Sequence, residues 1–350
     1  MPKFPLVVIV AMATASALAV DSLPSASPGA AQTSPKPTPT PTPGPLAPDV
    51  LPGSGLAQHD FFFAGEAHTE DMYIVRKGKI VWSYHVPGGK PEISDATLLS
   101  NGNVLFAHMG GVTEITADKQ VVWNHDAPLG TQIHTAQPIG HDRVLYIQNG
   151  LKPAVYVVNI VTGKTELQFP LEAGNPKNVH PQFRHARLTA AGTLLVAHMD
   201  MGVVREYDEK GNIVWSWKMP GRGPWGAERL ANGNTLLTDG GHTVYEVNPK
   251  GRIVWQFTQS DAPAYRFWSL QNVYRLANGN TLFVNWLNQW QGVPDPNSLP
   301  LQAIEVTPDK QVAWALRSWA PPAALGPATT IQILDDPGIV PEDVHFGDIR

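Results

Sequence analysis

Short stretches of alternating apolar and polar residues, separated by turn sequences, fill the chain from about residue 59 to residue 336. Alternation with a period of two predicts half-buried β-strands. Five of these stretches end in tryptophan: GKIVW at 78–82, KQVVW at 119–123, GNIVW at 211–215, GRIVW at 251–255 and KQVAW at 310–314. A degenerate copy, GKTEL at 163–167, fills the one long gap between them. Successive copies end 40 to 59 residues apart, and a unit that recurs at intervals of this length predicts a repeat architecture.

A second repeated feature is a turn between two apolar runs. Its best copies are LLSNGNVLF at 98–106, RLANGNTLL at 229–237 and RLANGNTLF at 275–283. Asn-Gly between alternating runs predicts a tight β-hairpin, because both central residues need positive φ. Each repeat therefore predicts four strands, named A to D here: A and B flank the turn, C carries a V-x-E motif, and D ends in tryptophan. Four strands per unit predict the blade of a β-propeller.

Five complete repeats cover roughly 94–126, 134–169, 183–218, 226–258 and 270–316. The segment 61–84 supplies strands B, C and D without A, and 329–336 supplies an A strand alone. Pairing the C-terminal strand with the N-terminal partial blade removes both exposed sheet edges. The sequence thus predicts an all-β, six-bladed propeller of four-stranded blades, with seven blades as the less favoured count.

The termini differ in composition from the repeats. Residues 1–19 combine Lys3, an apolar stretch and the Ala-Leu-Ala cleavage pattern at 17–19. Together these features predict a signal peptide and export to the periplasm or the medium. Ten prolines lie between Pro24 and Pro52, so 20–57 is expected to be an extended linker that packs against nothing. The propeller is placed at 58–336 and a C-terminal tail at 337–350.

The cysteine content and net charge of the chain exclude several kinds of functional site. The chain has no cysteine, which excludes disulfides, thiolate metal sites and a cysteine nucleophile. A net charge of −5 argues against nucleic-acid binding. The apolar stretch near the N-terminus is too short to span a bilayer comfortably, and no other apolar run is long enough for a membrane helix. We also expect the protein to be a monomer.

Features shared by most blades are predicted to be structural, including the strand D tryptophans and Glu114, Glu206, Glu246 and Glu305, each nine residues before a tryptophan. Positions that vary between blades are the candidates for function. At the end of strand B these are His108, Gln148, His198, Asp239 and Asn285. Near the start of strand A they are Asp95, His134 or Thr135, Arg184 or His185, Glu228, and Gln271 or Asn272. We expect them at one channel mouth, on the face with the long loops, beside Trp225, Trp268, Trp286 and Trp290.

The GKIVW-type strand ends and VNIVTGKTELQF at 158–169 resemble the repeats of bacterial PQQ-like, or quinoprotein-like, propellers. RLANGNTLL followed by VYEVNPKGRIVW is also similar to the propeller of bacterial arylsulfotransferases. The second resemblance implies sulfuryl transfer through a histidine: His185, His108 or His198, with Arg184 or Arg187 holding sulfate oxygens. PQQ-dependent dehydrogenases have eight blades and commonly a vicinal disulfide, so quinone binding is not expected in this six-bladed, cysteine-free chain.

Three functions stay open from the sequence. The first is binding of a small organic or saccharide ligand, or of a protein partner, at the predicted mouth. The second is an arylsulfotransferase-like enzyme with His185, His198 and Arg184 as catalytic residues. The third is a metal-dependent lyase or hydrolase acting on a saccharide, in which His108, His134, His185 and His198 form one cluster around a divalent ion. No other cofactor is indicated.

Overall fold

The protein is described by a computed structural model over residues 50–65, 71–87, 92–287, 300–336, 338 and 340–350. The first three strands are β1 (Phe61–Gly65), β2 (Asp71–Arg76) and β3 (Lys79–His85). Blade 1 consists of β4 (Ile93–Leu98), β5 (Val104–His108), β6 (Gly111–Ile115) and β7 (Val121–Asp126). Blade 2 consists of β8 (Gln132–Ile139), β9 (Arg143–Asn149), β10 (Ala154–Asn159) and β11 (Thr165–Pro170). Blade 3 consists of β12 (Phe183–Leu188), β13 (Leu194–His198), β14 (Val203–Tyr207) and β15 (Ile213–Lys218).

Blade 4 consists of β16 (Pro224–Arg229), β17 (Thr235–Asp239), β18 (Thr243–Val247) and β19 (Ile253–Thr258). Blade 5 consists of β20 (Ser269–Arg275), β21 (Thr281–Trp286), β22 (Ala303–Val306) and β23 (Val312–Leu316). The last strand is β24 (Ala328–Ile333), and two short 3-10 helices lie at Gly55–Ala57 and Gln259–Asp261. No helix in the described part of the chain is both long and apolar enough to cross a membrane.

The described strands form six antiparallel sheets of four, in the order A-B-C-D that the repeat predicts. Blade 6 has the order β24-β1-β2-β3, with Ile333 opposite Phe61 and Ile331 opposite Phe63. The two-terminus closure and the six-bladed count predicted from the sequence are therefore confirmed. The inner three strands of each blade are mostly buried on both faces, whereas the D strands are mostly exposed or half-buried, except β23, whose last three residues are buried.

The repeated residues join neighbouring blades. The indole N–H groups of Trp82, Trp215 and Trp255 donate to carbonyl oxygens of Ala117, Pro249 and Pro308, which lie in the C–D turn of the next blade. The repeated glutamates accept hydrogen bonds from side chains of the A–B turns, as Glu246 Oε1 does from Asn234 Nδ2 at 2.6 Å. Both features are structural, as predicted.

All six inner strands contain a β-bulge at the same place. The pairing of each strand A with its strand B shifts by one residue just after the strand begins. A bulge places two consecutive residues opposite a single residue of the partner strand. The bulge pairs are Ser94-Asp95, His134-Thr135, Arg184-His185, Trp225-Gly226, Gln271-Asn272 and Thr329-Thr330.

Both segments that flank the propeller are packed against it where they are described. Trp314 Nε1 donates to the carbonyl of Gly55 at 2.8 Å, and Leu56 contacts the core between blades 5 and 6. The expectation that the whole linker packs against nothing is therefore corrected for its last residues. At the other terminus Phe346 is fully buried, and the Gly347 N–H donates to the carbonyl of Gly192 at 2.9 Å. The segment 340–350 thus lies on the face that carries the A–B turns.

Candidate functional site

The six bulges form the buried centre of the propeller. We call their first residues the upper layer and their second residues the lower layer. The upper layer is Ser94, His134, Arg184, Trp225, Gln271 and Thr329. The lower layer is Asp95, Thr135, His185, Gly226, Asn272 and Thr330. Neighbouring blades contact each other here: Ser94 Oγ lies 2.9 Å from His134 Nδ1, and Thr135 Oγ1 donates to Asp95 Oδ2 at 2.9 Å.

Three side chains at the start of blades 1 to 3 can hold a metal ion. One ligand atom from each of Glu92, His134 and His180 lies within 4.8 Å of the other two. Glu92 Oε1 is 3.3 Å from His134 Nδ1, and Glu92 Oε2 is 3.8 Å from His180 Nε2. The two imidazole rings meet edge to face with centroids 5.1 Å apart. Two histidines and a carboxylate are a donor set that suits zinc, manganese or iron.

Gln132 determines which ring nitrogens are free to bind. Its Oε1 lies 2.9 Å from His134 Nε2 and 3.0 Å from His180 Nδ1. A carbonyl oxygen only accepts hydrogen bonds, so both of those nitrogens carry protons. The lone pair of His180 is then left on Nε2, which faces Glu92. His134 Nδ1 lies 2.9 Å from Ser94 Oγ and 3.3 Å from Glu92 Oε1, so an ion bound there would replace these contacts. Metal-binding histidines are typically held in this way by an acceptor on the second nitrogen.

The charges of the group match what a metal ion needs. Burial alone would raise the pKa of Glu92, but the hydrogen bond to His134 and the charge of Arg184 lower it to about 2. Burial and the same arginine lower the pKa of His134 to about 4, and burial lowers the pKa of His180. Near neutral pH the group therefore presents an ionised carboxylate and two neutral imidazoles, which are the forms that bind metals.

Aromatic side chains continue from this group along the upper layer. The Arg184 guanidinium donates to the carbonyl of His180 and lies 4.8 Å from the ring centroid of Trp225. Trp225 in turn contacts Trp286, with ring centroids 6.1 Å apart. Trp268 stacks against the guanidinium of Arg266 at 4.0 Å. The Arg184 guanidinium thus adjoins an indole surface formed by Trp225 and Trp286.

Several buried polar atoms near these rings lack a hydrogen bond within the described chain. They are the indole nitrogens of Trp268 and Trp286 and both amide atoms of Gln271, whose side chain is fully buried. Gln271 holds the same bulge position as His134 and Arg184 in other blades. Unsatisfied buried polar groups cost free energy, so a donor and acceptor at this place are suited to a bound molecule or ordered water.

The four predicted histidines occupy different surroundings instead of one cluster. Of the four, only His134 belongs to the metal-competent group found among the described residues. His185 Nδ1 lies 3.6 Å from Asp95 Oδ1 in the lower layer. His198 is buried within blade 3, between the hydroxyl of Tyr207 and the carbonyl of Glu172. His108 lies 3.3 Å from Thr113 Oγ1.

The remaining predicted residues lie at the ends of strands B, as expected from the register. Gln148 is opposite Ile133, Asp239 is opposite Pro224, and Asn285 is opposite Leu270. Asp239 Oδ1 accepts the N–H groups of Gly241 and Thr243 in its own turn. The Asn285 amide donates to the carbonyls of Arg266 and Leu301. These contacts shape the loops, and Trp290 lies outside the described residues.

Glu92, Gln132 and His180 were missed by the sequence analysis because they lie in or next to the D–A loops, outside the repeat. Gln132 did carry a signal: it is two residues before His134 at the start of one strand, and alternate residues share a face. Glu92 has the same spacing from Ser94, directly before β4. His180 had no such signal, since a loop residue has no fixed spacing from the strand that follows.

Comparison with known proteins supports the fold. No known protein-family model matches the chain, and no curated protein matches it. A Bacteroides caccae protein of unknown function is 25% identical, with a TM-score of 0.67 over 78% of this chain and 97% of that one. A streptogramin B lyase is 12% identical, with a TM-score of 0.52 over 80% and 85%.

A catalytically inactive histidine-to-alanine variant of virginiamycin B lyase from Staphylococcus aureus, bound to quinupristin, is 15% identical. Its TM-score is 0.51 over 76% of this chain and 88% of that one. These comparisons do not confirm the PQQ-like or arylsulfotransferase resemblance. The chain is a six-bladed β-propeller whose fold is similar to that of streptogramin-type lyases.

Proposed function

We propose that this protein is an exported, divalent-metal-dependent lyase or hydrolase that acts on a small organic ligand of the saccharide class. Glu92, His134 and His180 hold the ion. The observation that supports this most directly is Gln132, whose one oxygen contacts the second nitrogen of both histidines. Metal-binding histidines almost always have an acceptor of this kind at the second ring nitrogen.

Three protein ligands leave coordination positions for water or substrate. A divalent ion there would polarise a carbonyl or carboxylate oxygen and acidify a bound water or a neighbouring C–H bond. Arg184 contacts the carbonyl of His180 and so lies beside the ion, where its positive charge can bind a negatively charged group of the substrate. Trp225 and Trp286 provide apolar ring surfaces against which a sugar ring can pack. The fold similarity to lyases agrees with this reaction class.

Ligand binding without catalysis is the second candidate. It is favoured by the unpartnered amide of Gln271 and the indole N–H groups of Trp268 and Trp286, which can recognise a polar ligand without any metal. The sulfuryl-transfer alternative stays a prediction. It requires an accessible histidine nucleophile, whereas His185 and His198 are both buried, with exposed fractions of 1% and 0%.

Metal binding by purified protein tests the proposal. We expect about one equivalent of Zn²⁺ or Mn²⁺ per chain after dialysis, and loss of that ion in His180→Ala. Gln132→Ala should weaken the affinity roughly 10- to 100-fold, the usual effect of removing such a supporting contact. His242→Ala is the matched control, because His242 is exposed in a B–C turn of the same face and should change nothing.

Activity separates the three candidates. Metal-loaded protein is incubated with neutral and uronate-containing oligosaccharides, and the products are examined for a new double bond or a new reducing end. The proposal is supported if the wild-type protein forms either product and the His180→Ala variant does not. Ligand binding without turnover favours the second candidate. Release of nitrophenol from 4-nitrophenyl sulfate that depends on an added phenol and yields the sulfated phenol favours sulfuryl transfer. Absence of any bound ion at millimolar Zn²⁺ and Mn²⁺ excludes the metal-dependent function.

A further inference from the structure

A cavity of about 1000 Å³ lies at the other end of the channel from Glu92. The inner strands begin near Glu92 and end at the A–B turns, and the cavity is lined by residues at those ends. The sequence analysis placed function on the opposite face and expected Glu228 there. Glu228 instead lines this cavity, because it lies two residues beyond the bulge of its strand, so the expectation is corrected. Its volume is at the upper end of the range for small-molecule sites.

The cavity has a polar floor and apolar walls. The floor is formed by side chains two residues beyond the lower layer: Thr97, Gln137, Arg187, Glu228, Tyr274 and Gln332. The walls include Leu188, Leu230, Val273 and Leu334 from the inner strands and their turns. Val340 and Val344 of the C-terminal segment complete the rim. This arrangement suits a molecule with one polar end and an apolar body.

The C-terminal segment is fixed at this rim by specific contacts. Glu342 accepts from the Ser100 N–H at 2.9 Å, and its carbonyl accepts from the Gly140 N–H at 2.9 Å. Phe346 inserts fully into the core between blades 2 and 3. The rim is therefore a built part of the propeller.

The charges that line the cavity have an acidic excess. Arg187 is engaged by Asp95, and Arg229 is engaged by Glu206, so both of these cations are already neutralised. Glu228 has no such partner. Of the described residues, only the backbone N–H of Arg275 donates to its carboxylate, at 2.9 Å, because the Arg275 side chain pairs with Glu246. Asp336 and Asp343 add further negative charge at the rim.

Among the described residues, therefore, no cationic side chain is hydrogen-bonded to Glu228, although Arg275 and Arg187 are near enough for their charges to act on it. Burial raises its pKa to about 7, even though the N–H of Arg275 and the charges of Arg275 and Arg187 act against the rise. A positively charged group in the cavity would complete this site by stabilising the ionised carboxylate. A carboxylate ligand would instead face Glu228 and two rim aspartates, while the two arginines among the described lining residues are already paired with carboxylates.

We propose that this cavity binds an amphipathic amine, with its ammonium group at Glu228 and its apolar chain between the walls formed by blades 3 to 5 and residues 340–345. This site is separate from the Glu92 group and does not depend on the function proposed above. The lower layer, which includes Asp95, lies between the Glu92 group and the cavity.

Calorimetric titration with three probes of equal chain length tests the proposal: octylamine, octan-1-ol and octanoate. We expect octylamine to bind at least about tenfold more tightly than octanoate, since a charge-assisted hydrogen bond contributes roughly that factor. Glu228→Gln keeps the side-chain shape and should reduce octylamine affinity about tenfold. Glu172→Gln is the control, because its carboxylate is two-thirds exposed and lies away from the cavity.

Each contrary result would overturn the proposal in a distinct way. Equal binding of octylamine and octanoate would show that the cavity selects only for apolar surface. Unchanged octylamine affinity in Glu228→Gln, with a melting temperature equal to that of the wild type, would show that the amine binds elsewhere. Absence of octylamine binding at millimolar concentration would exclude an amine site. The comparison of probes on the unmodified protein needs no variant to fold.

Discussion

Arg187 holds the carboxylate of Asp95 with two hydrogen bonds, from Nη1 at 2.8 Å and from Nη2 at 2.7 Å. The pair joins blade 3 to blade 1, while Asp95 also accepts from Thr135 of blade 2. Three blades are therefore connected at one fully buried carboxylate. Burial alone would raise the pKa of Asp95, but Arg187 and His185 lower it far below its usual range.

Removal of this carboxylate should destabilise the whole propeller. Asp95→Ala leaves the Arg187 charge without its partner, and breaking a buried pair costs about 3–5 kcal/mol. Denaturant unfolding would measure the loss. Glu166→Gln is the comparison, since the half-buried Glu166–Arg143 pair at the protein surface should contribute no more than about 1 kcal/mol. Equal costs for the two variants would contradict the role assigned to Asp95.

His59 should make stability depend on pH. It lies 3.0 Å from Glu305 and 3.2 Å from Asp335, near the junction of the two termini. Burial lowers its pKa, but the two carboxylates outweigh this and raise it above 6.5. A raised folded-state pKa stabilises the protein below the unfolded value and loses that contribution as pH rises through the folded value. The cost of His59→Gln should therefore be greater at pH 6 than at pH 8.

His242 is the comparison for His59, because its pKa is shifted in the opposite direction. Burial lowers its pKa, so any stabilisation that it provides is lost as the pH falls. His242→Gln should thus show no extra cost at the lower pH. If both variants follow the same pH trend, the contacts of His59 with Glu305 and Asp335 do not control its titration.

The C-terminal strand should be essential, in contrast to the segment before residue 50. Deletion of 329–350 removes β24 and leaves β1 as an unpaired inner edge beside the channel. We expect this chain to lose cooperative thermal unfolding, measured by circular dichroism. Deletion of 20–49 leaves the Gly55 contact with Trp314 intact and should keep the melting temperature. Equal melting temperatures for the two deletions would contradict the closure.

Phe346 should anchor the segment that borders the cavity. Phe346→Ala removes a fully buried ring, which costs about 3–5 kcal/mol where the surroundings cannot collapse. Val340→Ala, at an exposed position of the same segment, should cost less than about 1 kcal/mol. Chemical denaturation measures both, and similar values would mean that residues 340–350 detach without affecting the propeller.

Gly226 should tolerate no side chain. A Cβ at this lower-layer position would lie 2.7 Å from the carbonyl oxygen of Gln271 in the next blade. Gly226→Ala should therefore force blades 4 and 5 apart at a cost of about 1–3 kcal/mol. Gly110→Ala is the control, because its nearest contact would be 3.4 Å from His108. A neutral Gly226→Ala would show that the channel wall adapts freely.

The fold could be predicted because its signals repeat. Asn-Gly turns, tryptophan-ended strands and the two partial repeats specified strand order and closure, and the register placed His108 and His198 at equivalent positions in blades 1 and 3. The candidate site could be predicted only in part. His134 and Arg184 are in strands, but His180 is in a loop whose path depends on tertiary packing. Val340 and Val344 belong to no repeat, so the rim that they form left no pattern in the sequence.

The bulges in the inner strands have a consequence for how this protein can change. A bulge pair stands partly outside the regular ladder, so its side chains can be exchanged at little cost to strand pairing. The upper layer therefore amounts to six positions that can vary within a constant frame, and its present occupants range from Ser94 and His134 to Trp225. In the lower layer Asp95 and Gly226 are fixed by their contacts with neighbouring blades. New specificity would therefore come from substitutions in the upper layer, while the outer strands that stabilise the ring stay as they are.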